Sequence, residues 1–144
     1  MNLKNLKLVV VLISLTFFSC AQNSAKKEVK DSETTVVQTK QVVALISPND
    51  LQSKLGDIQL IDVRRPEEYA AGHIEGSNNI NFLGADFMGQ MSKFDKNKEI
   101  YVYCRSGKRS SNAAAKLKEQ GFTKIYDLQG GIINWEKNNF KIIN

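Results

Sequence analysis

Residues 101–118 read YVYCRSGKRSSNAAAKLK, and this stretch of sequence decides the fold. An apolar, aromatic-rich run that is typical of a buried strand ends at Cys104. A polar, strongly basic turn of six residues follows, and the alanine- and lysine-rich residues after it are good helix formers. A strand, a tight turn and a helix in this order predict one unit of an α/β sheet, with Cys104 at the carboxyl end of its strand.

The rest of the chain from residue 42 onwards alternates strand and helix signals in the same way. The apolar, β-branched runs predict strands at 42–46, 58–63, 78–82, 99–104 and 124–128. Helical spacing and helix-ending glycines predict helices from Ser47-Pro48 to Gly56, and over 66–72, 86–94, 110–121 and 131–140. We therefore expect an α/β domain with about five strands in a largely parallel sheet and with helices on both faces.

The turn after Cys104 has the composition of an anion site. Ligands of open α/β sheets bind outside the carboxyl ends of the strands, so Cys104 is expected at the ligand edge. Backbone N–H groups of such a turn can converge on an anion, and Gly107 supplies the conformational freedom that a tight ring needs. Arg105, Lys108 and Arg109 lie within five residues of the thiol and favour the thiolate. The pattern predicts a nucleophilic cysteine and disfavours a structural cysteine beside a solvated turn.

Four motifs in register carry a resemblance to a known family. They are IDVR with EEY (61–64 and 67–69), GHIEGSNNI (72–80), CRSGKRS (104–110) and LQGGIINW (128–135). In these motifs and their order, the chain from about 45 to 140 resembles the rhodanese domain of sulfurtransferases. It departs from the family pattern at Glu75 and Ser77, where proline and alanine are common.

The resemblance implies a rhodanese-like fold and a sulfurtransferase that carries sulfur as a persulfide on Cys104. The donor would be thiosulfate or a similar small anion, the acceptor would be a thiol or cyanide, and neither a metal nor an organic cofactor is implied. Asp62 and Arg64 end an earlier strand and would form a buried pair that braces the active loop. The donor would be bound by the five loop residues Arg105, Ser106, Gly107, Lys108 and Arg109.

The length of the loop disfavours phosphatase and arsenate-reductase chemistry. Protein tyrosine phosphatases use the pattern Cys-x₅-Arg, but Ser110 stands six residues after the cysteine and Arg109 comes one residue too early. Phosphatase and arsenate-reductase relatives of the rhodanese fold have a loop one residue longer, so the loop length favours sulfur. A non-catalytic persulfide carrier or a partner-binding rhodanese module stays open as the alternative, although the intact Cys104 favours an enzyme.

The N-terminal residues predict export. A short basic segment precedes an apolar run at 8–18, which at eleven residues is shorter than the roughly twenty that span a bilayer. This pattern predicts a signal peptide at 1–19. Ser19-Cys20 resembles the lipobox of bacterial lipoproteins, with Phe17 where leucine is usual. The resemblance implies lipidation of Cys20 and membrane anchoring, which places the protein at the periplasm or cell exterior.

Composition divides the remaining chain. Residues 20–41 are polar and charged, so we expect a lipidated N-terminus and a flexible tether, followed by one rhodanese-like domain at 42–144.

Lipidation of Cys20 would leave Cys104 without an intramolecular partner, and an unpaired thiol in an exported protein is a candidate reactive group. The net charge of +5 is scattered and the aromatic residues do not interleave with it, so no nucleic-acid partner is predicted.

Overall fold

The computed structural model describes residues 40–144, which form a five-stranded parallel sheet with a helix after each strand. The strands are β1 (Val42–Ile46), β2 (Gln59–Asp62), β3 (Asn78–Asn79), β4 (Glu99–Tyr103) and β5 (Lys124–Leu128). The helices are α1 (Pro48–Lys54), α2 (Pro66–Ala70), α3 (Phe87–Met91), α4 (Lys108–Glu119) and α5 (Gly131–Lys137). The predicted fold class is confirmed.

The strand order places Cys104 at the middle of the sheet. Neighbouring strands follow the order β1-β5-β4-β2-β3, and every pair is parallel. All carboxyl ends therefore lie along one edge, and Cys104 follows the central strand β4 at that edge. Loops from both sides of β4 can reach it there, as expected for open α/β sheets.

The two faces of the sheet bury separate apolar clusters. Along β4, Ile100 and Val102 share the face of Cys104 and pack with residues of α3 and α4. Tyr101 and Tyr103 point to the other face and pack with residues of α1 and α5. Because successive side chains of a strand alternate, Cys104 lies on the α4 face and its neighbour Tyr103 on the opposite face.

Two element boundaries differ from the predictions for local reasons. The strand predicted at 78–82 ends at Asn79, because Asn81 starts a turn in which its side-chain Oδ1 accepts from the N–H of Leu83 and its carbonyl accepts from Gly84. The helix predicted at 131–140 ends at Lys137, and Asn139 has a φ of 60°. Asparagine tolerates this left-handed conformation, which terminates a helix.

The start of α4 also differs, and this difference shapes the site. The helix begins at Lys108 rather than near Ser110, after Gly107 with a φ of 100°. Its first intrahelical bond runs from the N–H of Ser111 to the carbonyl of Gly107. The N–H groups of residues 108–110 are therefore free of intrahelical partners.

The predictions for the N-terminus lie outside the described residues. This applies to the signal peptide at 1–19, to the lipidated Cys20 and to the tether at 20–41 except its last two residues. Within residues 40–144, no helix combines the length and the apolar character needed to cross a bilayer.

The N-terminus of α5 holds the backbone of the loop that follows β4. The N–H of Ile132 donates to the carbonyl of Cys104 at 2.9 Å, and the N–H of Ile133 donates to the carbonyl of Arg105 at 3.2 Å. Gly131 makes this approach possible, since a Cβ there would lie 2.4 Å from the carbonyl oxygen of Cys104. The double glycine of LQGGIINW is therefore a docking point for the loop.

We expect Gly131→Ala to destabilise the protein more than Gly121→Ala. Both glycines have a left-handed φ, 61° and 90°, so alanine costs roughly 1–2 kcal/mol of backbone strain at either position. Only Gly131 would add a clash with the loop, because nothing lies within 4 Å of a Cβ at Gly121. Overpacking of this kind costs about 1–3 kcal/mol more. Urea unfolding of both variants measures the difference, and equal losses would contradict the docking role.

Candidate active site

The sulfur of Cys104 lies at the centre of a ring of hydrogen-bond donors. The residue is 1% exposed, directly after β4. The N–H of Gly107 donates to Sγ at 3.2 Å, and the hydroxyl of Ser110 lies 3.5 Å from Sγ. The loop therefore curls around the thiol, as the sequence predicts for an anion-binding turn.

These donors lower the pKa of the Cys104 thiol below its ordinary value. Burial is the largest single influence and raises the pKa. The hydrogen bonds from the Ser110 hydroxyl and from the backbone amides of Ser110, Ser106 and Gly107 together outweigh it. Donors that face a sulfur stabilise its charged form. The stabilising contribution is thus hydrogen bonding from the turn, which the sequence analysis predicted together with the nearby cations.

Ser110 is a functional candidate that the sequence analysis did not assign. Its Oγ lies 3.0 Å from the carbonyl of Gly107 as well as 3.5 Å from the Cys104 sulfur. The residue is fully buried in the first turn of α4. The sequence showed only a hydroxyl group six residues after the cysteine. Its role depends on the folded loop, which brings that hydroxyl close to the sulfur.

Arg109 is committed to an ion pair that the sequence analysis also missed. Its guanidinium donates two hydrogen bonds to the carboxylate of Glu68 on α2, at 2.6 and 2.7 Å. The hydrogen bond from Arg109 is the main cause that lowers the pKa of Glu68 to about 2. Such paired, charge-assisted bonds have strong directionality. Arg109 therefore fastens the active loop to α2, and part of its charge is neutralised.

Arg105 and Lys108 remain exposed at the rim of the loop. Their predicted role in binding the donor stays a prediction, as does that of Ser106 and Gly107. A cavity of about 330 Å³ opens beside them, lined by Arg65, Glu68, Leu83, Arg105 and Arg109. Three of these five residues are arginines, so the cavity favours anions. Arg65 is a further cation that the sequence analysis did not single out, although it follows directly after IDVR.

Asp62 and Arg64 form the predicted buried pair, but on the opposite side of the sheet from the Cys104 side chain. The guanidinium of Arg64 contacts both carboxylate oxygens of Asp62 and donates to the carbonyl of Gly72 at 2.7 Å. It also lies over the ring of Tyr103, 5.7 Å from the centroid. Among the hydrogen bonds of residues 40–144, none joins this pair to 104–110. The pair holds the segment around Gly72 and the end of β4. The side-chain brace of the active loop is Glu68, beside the backbone contacts from α5.

The GHIEGSNNI segment anchors the residue that precedes the cysteine. The hydroxyl of Tyr103 accepts from the N–H of Ile74 at 3.1 Å and lies 2.9 Å from the hydroxyl of Ser77. The ring of His73 stacks on Tyr69 with centroids 3.7 Å apart. These contacts give the motif a structural role.

The comparisons with known proteins agree with this geometry. A family model described as the rhodanese-like domain matches residues 47–138. The chain belongs to the rhodanese-like family. The residues matched by the family model include both the loop after Cys104 and the Gly130-Gly131 turn that docks against this loop.

Individual relatives cover most of this rhodanese domain. A sulfurtransferase of Allochromatium vinosum is 36% identical over 87 residues, which is 60% of this chain and 79% of the relative. The thiosulfate sulfurtransferase GlpE of Shewanella oneidensis is 39% identical over 83 residues, 57% of this chain and 79% of the relative. The crystal structure of a rhodanese-related protein from Thermoplasma volcanium aligns with a TM-score of 0.63 at 28% identity, over 69% of this chain and 97% of that one.

We expect Glu68→Gln to lower the stability of the rhodanese domain by about 1 kcal/mol at neutral pH, because an ion pair whose side chains are 24% and 27% exposed contributes on this scale. The pair stabilises the fold above the usual glutamate pKa of 4.5, and its contribution is lost as the pH falls toward about 2. The difference between the variant and the parent should therefore shrink below pH 4.5.

The neighbouring Glu67→Gln is the matched control for this measurement. Glu67 is an exposed acid on the same helix, and it takes part in no ion pair among residues 40–144. Urea unfolding at several pH values compares the two variants. The same small loss for both would show that the Glu68–Arg109 pair does not hold the loop.

Proposed function

We propose that the protein is a rhodanese-type sulfurtransferase that moves sulfane sulfur from thiosulfate, or a similar anionic donor, through a persulfide on Cys104. The observation that carries this proposal is the ring of donors around the buried Cys104 sulfur, formed by Gly107, Ser110 and the loop amides. A site of this kind favours a small, anionic sulfur species. The sulfurtransferase names of the relatives support the same reaction class.

The first half-reaction loads the cysteine. The thiolate of Cys104 attacks the outer sulfur of thiosulfate and forms a new S–S bond, while the original S–S bond breaks and its electron pair leaves with sulfite. The persulfide that results is itself an anion at neutral pH. The N–H of Gly107 and the hydroxyl of Ser110 are placed to stabilise it, since preorganised donors need no rearrangement during the reaction.

The second half-reaction returns the cysteine to its starting state. A thiophilic acceptor, either a thiol or cyanide, attacks the outer sulfur of the persulfide, and the Cys104 thiolate leaves. Splitting the transfer into two steps is the advantage of covalent catalysis. The exposed cations Arg105 and Lys108 would draw the dianionic donor to the loop, with Arg65 adding charge beside the cavity.

We expect thiocyanate formation from thiosulfate and cyanide by the full chain carrying Cys20→Ser, purified in a non-ionic detergent. This background leaves Cys104 as the single thiol. Cys104→Ser in the same background should abolish turnover, because the covalent intermediate cannot form. Mass spectrometry after thiosulfate treatment should show one added sulfur on the parent and none on the variant. No turnover together with a stable added sulfur would favour the persulfide carrier instead.

We also propose that the protein is an exported lipoprotein, held on a membrane through Cys20 and facing the periplasm or cell exterior. The support is the basic segment, the apolar run and the Ser19-Cys20 pair of the sequence. Two or more acyl chains would provide stable anchoring. A tether of about twenty residues has a typical reach of roughly 25 Å, enough to hold the domain clear of the lipid headgroups.

We expect bacteria that express the chain to incorporate labelled palmitate into it, and Cys20→Ser to abolish that incorporation. Cys104→Ser is the matched control, because it removes the other cysteine and should leave the label unchanged. Label that persists in Cys20→Ser would exclude Cys20 as the lipidation site.

A further inference from the structure

Lysines that are scattered along the sequence gather at the edge of the sheet where the strands begin. This edge lies opposite the Cys104 loop, because all neighbouring strands are parallel. Eight of the eleven lysines of residues 40–144 lie in the segments that meet there, namely Lys40, Lys54, Lys93, Lys96, Lys98, Lys116, Lys118 and Lys124. The acids of the same segments are half as many, namely Asp57, Asp95, Glu99 and Glu119. Positive charge therefore prevails at this edge.

Strand register and a hydrogen bond join these segments into one surface. Lys124 begins β5 and pairs with Val42 at the start of β1 and with Glu99 at the start of β4. The Nζ of Lys96, in the loop before β4, donates to the carbonyl of Gln120 at 2.9 Å, directly after α4. The starts of three strands and the end of α4 therefore lie side by side.

The chain enters the domain at the same edge. The side-chain Nε2 of Gln41, directly before β1, donates to the carbonyl of Lys118 at 3.1 Å. The residues that precede this point include the predicted tether and the predicted lipidation site Cys20. The surface around the point of entry, which we call the lysine edge, consists of Lys40, Lys96, Lys118 and Lys124.

The charges of the lysine edge are available to a partner. All four ammonium groups belong to exposed residues, and none takes part in an ion pair among residues 40–144. Lys54, by contrast, lies 3.8 Å from the carboxylate of Glu99. The exposed acids next to the lysine edge in sequence are Asp95 and Glu119, so its net charge stays positive. Such a surface attracts an extended anionic partner.

An anionic lipid surface fits this arrangement better than a nucleic acid does. A bilayer surface attracts each nearby lysine separately and requires no groove. Single-stranded nucleic acids are usually bound with aromatic side chains on which bases stack. The ring of Phe122 lies 5.9 Å from the Nζ of Lys96, but Phe122 is fully buried and cannot stack on a base.

We propose that the lysine edge binds an anionic lipid surface and that the Cys104 loop therefore faces the aqueous side. The flexible tether allows the domain to approach the membrane as well as to leave it, and the lysines determine which edge makes contact. Cys104 follows the far end of β4, roughly 16 Å along the strand from the lysine edge. Sulfur donors and acceptors would then reach the loop from solution. The inference rests on the proposed membrane anchoring but not on any sulfur donor.

The test compares the full chain in vesicles of phosphatidylcholine and in vesicles that also contain about one third phosphatidylglycerol. A water-soluble acetylating ester modifies the lysines to a low extent, and mass spectrometry gives the rate for each lysine relative to Lys108 of the Cys104 loop. We expect Lys118 and Lys124 to react about fivefold more slowly at the anionic vesicles, a factor typical of one lysine at such a surface. Equal relative rates in both kinds of vesicle would overturn the proposal.

Two further readouts use the same vesicles. The protection should disappear at about 1 M salt, which screens exposed charges, and protection that survives would overturn an electrostatic contact. Alkylation of Cys104 by iodoacetamide should proceed at the same rate in both kinds of vesicle. Slower alkylation at the anionic vesicles would place the Cys104 loop against the membrane and overturn the proposed orientation.

Paired variants separate the lysine edge from net charge. Lys118→Gln with Lys124→Gln should reduce the protection of Lys40 and Lys96, because the edge loses half of its lysines. Lys96 itself is kept, since its Nζ binds the Gln120 carbonyl.

The matched control is Lys137→Gln with Lys141→Gln, which removes the same charge from exposed residues at the end of α5 and beyond it. This variant should keep the protection of the lysine edge. Equal effects of the two pairs would overturn the proposal. Protection by a DNA duplex, without protection by anionic vesicles, would overturn the lipid partner.

The result is independent of sulfur transfer and is distinguishable from the test of lipidation. Protected lysines without palmitate on Cys20 would support the lipid-binding surface and argue against the lipoprotein. Palmitate on Cys20 with unprotected lysines would support the lipoprotein and overturn the surface.

Discussion

A buried sulfur that carries negative charge depends on the donors that surround it, and the hydrogen bonds to Cys104 meet that requirement. Burial alone would raise the pKa of the thiol, yet the Ser110 hydroxyl and three backbone amides reverse the direction. The amides can converge only because Gly107, with a φ of 100°, turns the chain directly into α4. The backbone at the start of α4 thus also lowers the pKa of the Cys104 thiol.

The loop keeps this shape because separate elements hold it from several sides. The N-terminus of α5 binds the carbonyls of Cys104 and Arg105, and α2 binds Arg109 through Glu68. The GHIEGSNNI segment anchors Tyr103 on the other face of the sheet. The motifs at 61–69, 72–80 and 128–135 are therefore connected through their contacts with residues 103–109. An anion site on a loop keeps its geometry when rigid elements support it in this way.

The polar groups near the cysteine fall into two sets, divided by the sheet. Asp62 and Arg64 lie with Tyr103 on one face, where their pairing is structural. Asp127 and Ser110 lie with Cys104 on the other face, and the Ser110 hydroxyl lies 3.5 Å from the sulfur. A shift of one residue along a strand exchanges the faces, so neighbours in sequence such as Tyr103 and Cys104 take different roles.

The sequence by itself determined the parallel α/β sheet, the cysteine at the end of its strand and the identity of the loop, because strand periodicity and glycine or proline signals are local. Only the tertiary structure decided which charges reach that loop. The Glu68–Arg109 pair spans 41 residues, and the position of Asp127 beside Val102 depends on the pairing of β5 with β4. Local patterns cannot specify such contacts, since the strand order and the face of each side chain arise only when the whole sheet assembles.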